Sequence, residues 1–279
     1  LSTVPAAAWD ALANPGWRMD AAGAIAPLDP SAPPSVPFNP FLSHTFLVAL
    51  EEAGSVGEGT GWYPRHLLVR DADGTLLGAA PAYLKTHSRG EYVFDYGWAH
   101  AFERAGGRYY PKLQVAVPFT PVPGPRLLAG AGPEAPARRA LLGEALKALA
   151  DTARASSVHV TFASEADCAA LATEGWLERH DNQFHWENEG YETFDDFLAA
   201  LASRKRKQLR RERRDALAND ISVEWVTGSE ITEAHWDDFF AFYMDTGARK
   251  WGMPYLNREF FSLLGERMAG RVALVFAVR

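Results

Sequence analysis

The sequence predicts an α/β protein built on a mixed sheet, and three observations carry that expectation. Between residues 113 and 186, apolar runs of strand length alternate with helical patterns in the order strand, loop, helix, strand, helix, glycine, strand. Such a succession requires crossover connections over a sheet. A second unit restarts near residue 191 and repeats the first half of the first. The chain then reaches Val272-Ala273-Leu274-Val275-Phe276-Ala277-Val278, a continuous apolar run that reads as a strand buried on both faces.

Each element follows from local chemistry. Pro27, Pro30, Pro33, Pro34, Pro37 and Pro40 exclude helix and central strand, so residues 1–38 read as a proline-rich lead-in and order is expected from about Asn39. Phe41, Phe46, Leu47 and Leu50 mark a short amphipathic helix that ends in the glycine-rich loop 54–61. Strands at 66–70 and 76–84 are joined by Asp71-Ala72-Asp73-Gly74, residues that tolerate the positive φ of a hairpin turn. Strand-like runs follow at 91–96 and 113–119, with loop or short helix between them. A helix at 138–155 buries Leu141, Leu142, Ala145, Leu146 and Leu149. It precedes a strand at 158–162, a helix at 165–174 stopped by Gly175, and a strand at 177–186. These form a first domain, 39–190. Residues 191–279 carry a basic helix, a strand at 221–226, a helix at 232–246 whose Trp236, Phe239, Phe240 and Tyr243 read as core, a helix at 258–268, and the terminal strand.

At 279 residues and 47% hydrophobic, the chain can build one large core or two modest ones. Its single cysteine, Cys168, excludes an internal disulfide framework and sits in an alanine-rich helical stretch, as a buried inert thiol would. No stretch approaches the ~20 apolar residues of a membrane span, and no basic segment leads into an apolar one near the start. A cytoplasmic protein is expected. The last strand stops without a turn or partner, so the native protein is expected to continue, with the unfinished edge offering self-association.

The chain carries a net charge of −7, yet eight of its 28 basic residues fall within Arg204-Lys205-Arg206-Lys207-Gln208-Leu209-Arg210-Arg211-Glu212-Arg213-Arg214. Phe194, Leu198, Leu201 and Leu209 recur at helical spacing through this region. Eight cations in three turns repel one another, and phosphates or carboxylates offset that repulsion. Arg204, Arg206, Lys207, Arg210 and Arg211 are therefore candidates to hold an anionic substrate. A solvated surface helix is the plain alternative. An RNA-binding arm is opposed by the acidity of the remaining chain.

Glu91 and Asp95, four apart on the expected strand, share one face while Tyr92, Phe94 and Tyr96 share the other. A carboxylate pair beside an aromatic-lined cleft can raise one pKa into the range of a general base; binding water or an arginine at the sheet surface is the alternative. Tyr110, Lys112 and Gln114 alternate onto one face and would line the substrate cleft. His185, between Phe184 and Trp186, reads as a proton shuttle or a core histidine. His180 and His185 face opposite ways on one strand, and no Cys pair or His-Glu spacing occurs elsewhere, so no metal is expected. Gly130-Ala131-Gly132-Pro133 fits a dinucleotide fingerprint only superficially, because Pro133 removes a donor and Asp151 falls within a helix.

Several stretches resemble signatures of the bacterial FemAB-like predicted N-acyltransferases: Tyr109-Tyr110-Pro111-Lys112-Leu113-Gln114, Val117-Pro118-Phe119-Thr120-Pro121, Gln183-Phe184-His185-Trp186, Ser203-Arg204-Lys205-Arg206-Lys207 and Arg249-Lys250-Trp251-Gly252. The order from 113 to 186 resembles the later half of a GNAT-type acyltransferase, and the duplicated plan resembles the Fem-type peptidoglycan aminoacyltransferases. The resemblance implies a duplicated GNAT-like fold whose second copy is cut short at its C-terminus, with substrate in a cleft between the two. It also implies acyl-CoA or aminoacyl-tRNA as co-substrate and no tightly bound cofactor. The loop that would cradle a donor pyrophosphate carries Pro118, Pro121, Pro123, Pro125 and Pro133, none of which donates a hydrogen bond.

Two readings follow. In the first, the protein transfers an acyl or aminoacyl group to an amine of a cell-wall precursor or related small molecule. Glu91, Asp95 and His185 would serve the chemistry. In the second, it is a non-catalytic module whose basic helix recognises an anionic ligand, RNA or a partner protein.

Overall fold

The computed structural model describes residues 1–218, 220–250 and 252–279. Trp251, part of one signature stretch, lies outside them. The architecture is mixed α/β. Its centre is a four-stranded sheet in the order β3 (Trp62–Pro64), β6 (Ala82–Lys85), β7 (Lys112–Val115), β8 (Val158–Val160). The first three strands pair antiparallel; β7 and β8 are parallel, joined by the crossover helix α4 (Ala135–Thr152). The hairpin β4 (Leu67–Arg70) and β5 (Leu76–Ala80) packs against α4, as does α5 (Glu165–Thr173), which Ser164 caps.

The single strand expected over 76–84 is two strands in two sheets. Pro81 divides β5 from β6, because it has no N–H to continue the ladder. The lead-in is ordered well before Asn39. Residues Ala6–Ala13 form α1, and β1 (Trp17–Met19) pairs with β2 (Ile25–Pro27). Trp9 on α1 is fully buried and donates from Nε1 to the Leu42 carbonyl at 2.9 Å. That indole meets α2 (His44–Glu52), whose Ser43 cap accepts from the Phe46 N–H.

The last ninety residues comprise α6 (Phe194–Ala200), α7 (Ser203–Ala216), β9 (Ser222–Thr227), α8 (Glu233–Arg249), α9 (Arg258–Met268) and β10 (Ala273–Val278). Trp236 of α8, Phe260 and Phe261 of α9 and Leu274 of β10 share one core with Trp9, Leu47 and Trp62. A second core of Leu113, Val115, Leu127, Leu142, Leu146 and Leu171 lies between the central sheet and α4–α5.

Four further expectations change. Residues 177–186 form no strand; the chain runs irregularly there, with Phe184 and Trp186 exposed. Residues 91–95 form no strand either. The basic run is not one helix with residues 194–201, since Leu201 and Ala202 take extended backbone and break it into α6 and α7. Finally, among the described residues β10 pairs only with β9 and buries one face: Leu274 is enclosed while Val275 and Trp225 opposite it are exposed.

Candidate functional site

The sheet places two lysines side by side. Lys85 ends β6 and Lys112 begins β7, and the two are register partners with no solvent exposure. Two buried lysine side chains at adjacent positions need anionic partners or the loss of a proton. The connection between the strands supplies them: Glu91 and Asp95 both reach Lys112 Nζ, at 2.7 and 2.6 Å, and Glu91 Oε1 lies 3.8 Å from Lys85 Nζ. Tyr109 donates its hydroxyl to the same Asp95 oxygen at 2.7 Å.

The expected partition of 91–96 therefore holds without the expected strand. Tyr92 takes a left-handed φ of 58° and reverses the chain, and Asp95 stands at the N-cap position of α3 (Tyr96–Arg104). The carboxylates go in while Tyr92, Phe94, Tyr96 and Trp98 stay exposed around them. Tyr255, from the segment between α8 and α9, closes this aromatic rim by stacking on Phe119 with centroids 5.2 Å apart. Phe119 itself packs edge-on against Trp62, whose ring lies under Lys85 Nζ at 3.6 Å.

Burial sets the protonation states. It pushes the Lys85 ammonium down to about 6, a shift that the Glu91 charge opposes and the Lys112 charge reinforces. Burial raises the Glu91 carboxyl, with Lys112 pulling the other way. Asp95 goes in the opposite direction: burial alone would raise it, but the hydrogen bonds from Lys112 and Tyr109 together with the Lys112 charge hold it below its ordinary value. Nearby His159 is pushed down to about 4, first by burial and then by Lys112, and stays neutral. Glu91 Oε1 and Asp95 Oδ1 accept no hydrogen bond from the described residues, nor does Oε1 of buried Gln114, whose Nε2 donates to Thr161 Oγ1 at 3.1 Å. The cluster thus presents unfilled acceptors beside a cation and an uncharged amine.

The other candidates sit elsewhere. Tyr110 shares a 2.8 Å hydrogen bond with Ser88 at the edge of the cluster. His185 is on the irregular stretch, hydrogen-bonded to Gln183 Oε1 at 2.7 Å, so it is neither a core histidine nor a neighbour of Lys112. The basic residues are on α7, which packs against α6. Arg206 donates to the Ala199 and Leu201 carbonyls and so caps α6. Arg210 pairs with Asp195 at 3.4 Å and Arg211 with Asp215 at 3.8 Å; Arg204 and Lys207 form no ion pair among the described residues.

Sequence reasoning missed Lys85, Tyr109 and Trp62. Lys85 ends an apolar run, and only its pairing with Lys112 shows that it points inward. It also missed Arg126. In the loop that follows β7, the buried Arg126 guanidinium donates to the carbonyls of Thr161, Gly124 and Pro125, while Asp167 Oδ2 accepts from the Arg126 N–H at 2.6 Å. The proline-rich loop therefore turns carbonyls inward around an arginine, the reverse of an N–H cradle for phosphate.

A family model described as peptidoglycan biosynthesis/recognition, the FemAB-like family, matches residues 1–279. The chain belongs to the FemAB-like family. No curated protein gives a significant match. Membership ties this FemAB-like protein to peptidoglycan biosynthesis, and the signature resemblance at residues 109–114 covers the Tyr109 and Lys112 side chains of the buried cluster. No helix among the described residues is long and apolar enough to cross a membrane.

Proposed function

We propose that this FemAB-like protein transfers an acyl or aminoacyl group to an amine of a peptidoglycan precursor, with a GNAT-like unit holding the reacting end. The observation that carries the reading is Glu91, a carboxylate with a raised pKa and an unfilled oxygen, set between Lys85 and Lys112. In such a transfer the amine nitrogen attacks the acyl carbonyl carbon and passes a proton to Glu91. The ester or thioester bond then breaks, and the leaving oxygen or sulfur takes that proton. A carboxylate whose pKa is raised by burial suits the first step and its return as an acid suits the last. Lys112 supplies positive charge for the developing oxyanion, and Asp95, held ionised, keeps Lys112 in place. The exposed aromatic rim from Tyr92 to Trp98, with Tyr255, offers the acceptor a binding face, and the basic helix α7 holds an anionic group of donor or acceptor.

The loop chemistry around Arg126 favours an aminoacyl ester over acyl-CoA as donor. A second reading, recognition of the precursor without transfer, is favoured by the closure of the cluster, since Lys85 and Lys112 have no exposed surface. The deciding experiment incubates the chain with a UDP-linked muropeptide and either aminoacyl-tRNA or acyl-CoA and reads product mass. A mass gain that Glu91→Gln abolishes supports transfer. Thermal stabilisation by the muropeptide with no mass gain from any donor supports recognition alone.

A further inference from the structure

Aromatic rings around the lysine cluster already carry cations on their faces. On the buried side, Lys85 Nζ lies 3.6 Å from the centroid of Trp62 and Lys112 Nζ lies 5.6 Å from that of Tyr109. On the exposed side, the Arg179 guanidinium stands 5.3 Å from the centroid of Trp98. Tyr92, Tyr96 and Tyr255 of the same rim are 46, 46 and 39% exposed and take no such partner among the described residues. The three rings converge. Burial raises the Tyr92 and Tyr96 phenols, and the neighbouring Tyr255 hydroxyl raises both further. Tyr255 is held in place, stacked on Phe119 and donating its backbone N–H to the Tyr243 hydroxyl at 3.0 Å.

We propose that Tyr92, Tyr96 and Tyr255 form an aromatic cage for a quaternary ammonium group, the trimethylammonium end of a ligand. The charge beneath the rings suits a cation. Glu91 and Asp95 stand against the single charge of Lys112, because burial pushes Lys85 down to about 6, and the cluster keeps one negative charge in excess at neutral pH. Both carboxylates are sealed, with side chains 0 and 2% exposed, so a ligand on the rim feels their field without bonding to them. That separation selects the kind of cation. A primary ammonium would give up the water on three N–H groups for ring faces that replace it poorly, whereas a trimethylammonium group has no N–H to desolvate. Its nitrogen has no free electron pair and cannot be acylated, so this ligand is distinct from the acceptor of the proposed transfer and competes with it for the rim. The readout is binding alone, and the inference can fail while acyl transfer stands.

The test is isothermal titration of the full chain with choline, with the neutral alcohol in which carbon replaces the choline nitrogen, and with ethanolamine. Saturable binding of choline is expected, with the neutral alcohol and ethanolamine each weaker by roughly fivefold or more. Tyr96→Leu and Tyr255→Leu should each weaken choline by about threefold or more, while Tyr96→Phe and Tyr255→Phe, which keep the ring face and the packing, should stay within about twofold. Trp98→Leu removes an exposed ring whose face Arg179 already occupies and should leave choline binding unchanged. Sedimentation with phosphatidylcholine vesicles that choline reverses would support the cage with a lipid headgroup as the source, and choline binding without sedimentation would support it with a soluble ligand. Equal binding of the neutral alcohol would reveal an apolar patch and overturn the cage. Equal binding of ethanolamine, equal losses in the Leu and Phe variants, or no saturable binding of choline would also overturn it.

Discussion

Lys85 and Lys112 are register partners across β6 and β7, both sealed from solvent, with the Glu91 carboxylate reaching toward each. Like charges directly opposite in a sheet repel. The arrangement is stable because the two lysines differ: Lys112 is held by two carboxylates, while Lys85 is desolvated against Trp62 and pushed down to about 6.

That asymmetry predicts a pH dependence. A lysine whose pKa falls from 10.5 to about 6 on folding binds fewer protons folded than unfolded between those values, so its contribution makes stability rise with pH across that window. Relative to Lys85→Met, the wild-type protein should gain about 1.4 kcal/mol per pH unit from roughly pH 6.5 upward. Urea unfolding of both proteins from pH 6 to 9 checks it; parallel curves would mean that Lys85 is charged in the fold.

Replacing Lys112 by Met leaves Glu91 and Asp95 buried without their shared cation. The loss should be about 3–5 kcal/mol at neutral pH, as for other broken buried pairs, and smaller at pH 4 where Glu91 is protonated. Chemical denaturation at the two pH values measures it. A loss below 1 kcal/mol at neutral pH would show that the carboxylates are solvated.

In the proposed transfer, Glu91→Gln should slow turnover by about 10²–10⁴-fold while leaving muropeptide binding intact, because only the proton acceptor is lost. His185→Ala, on an exposed irregular stretch, should leave turnover within a factor of two or so. The reverse ranking in a mass-resolved assay would move the chemistry away from the lysine cluster.

Trp9 ties the N-terminal segment into the main core. Trp9→Ala should cost about 3–5 kcal/mol, measured by thermal or urea unfolding. An unchanged midpoint would mean that residues 1–38 are an independent lead-in.

Arg206 and Arg204 are neighbours in a run of cations with different work to do. Arg206→Ala removes donors from the last carbonyls of α6 and should cost about 1–2 kcal/mol, whereas exposed Arg204→Ala should stay within ~0.5 kcal/mol. Equal effects would refute a capping role.

Local chemistry was legible where it acts over a few residues. The helix at 258–268 has its observed bounds because Asn257 caps it and Phe260, Phe261 and Leu263 give it a buried side. The helix at 165–174 stops where Gly175 stands, and the Asp-rich turn joins β4 to β5. Aromatic-rich runs misled: residues 91–96 and 177–186 have strand composition but no partner strand, and a strand exists only through its ladder. The lead-in was misjudged because prolines report on backbone freedom at their own positions and say nothing of Trp9 upstream.

The sequence by itself determined the mixed α/β class and the concentration of cations on one helix, since each follows from composition and short-range periodicity. Only the tertiary structure decided that Lys85 faces Lys112, that Tyr109 serves Asp95, and that His185 stays outside. Those relationships join residues that are distant in the chain, through strand register and through the burial that sets each group's charge, and neither quantity is a property of a local segment.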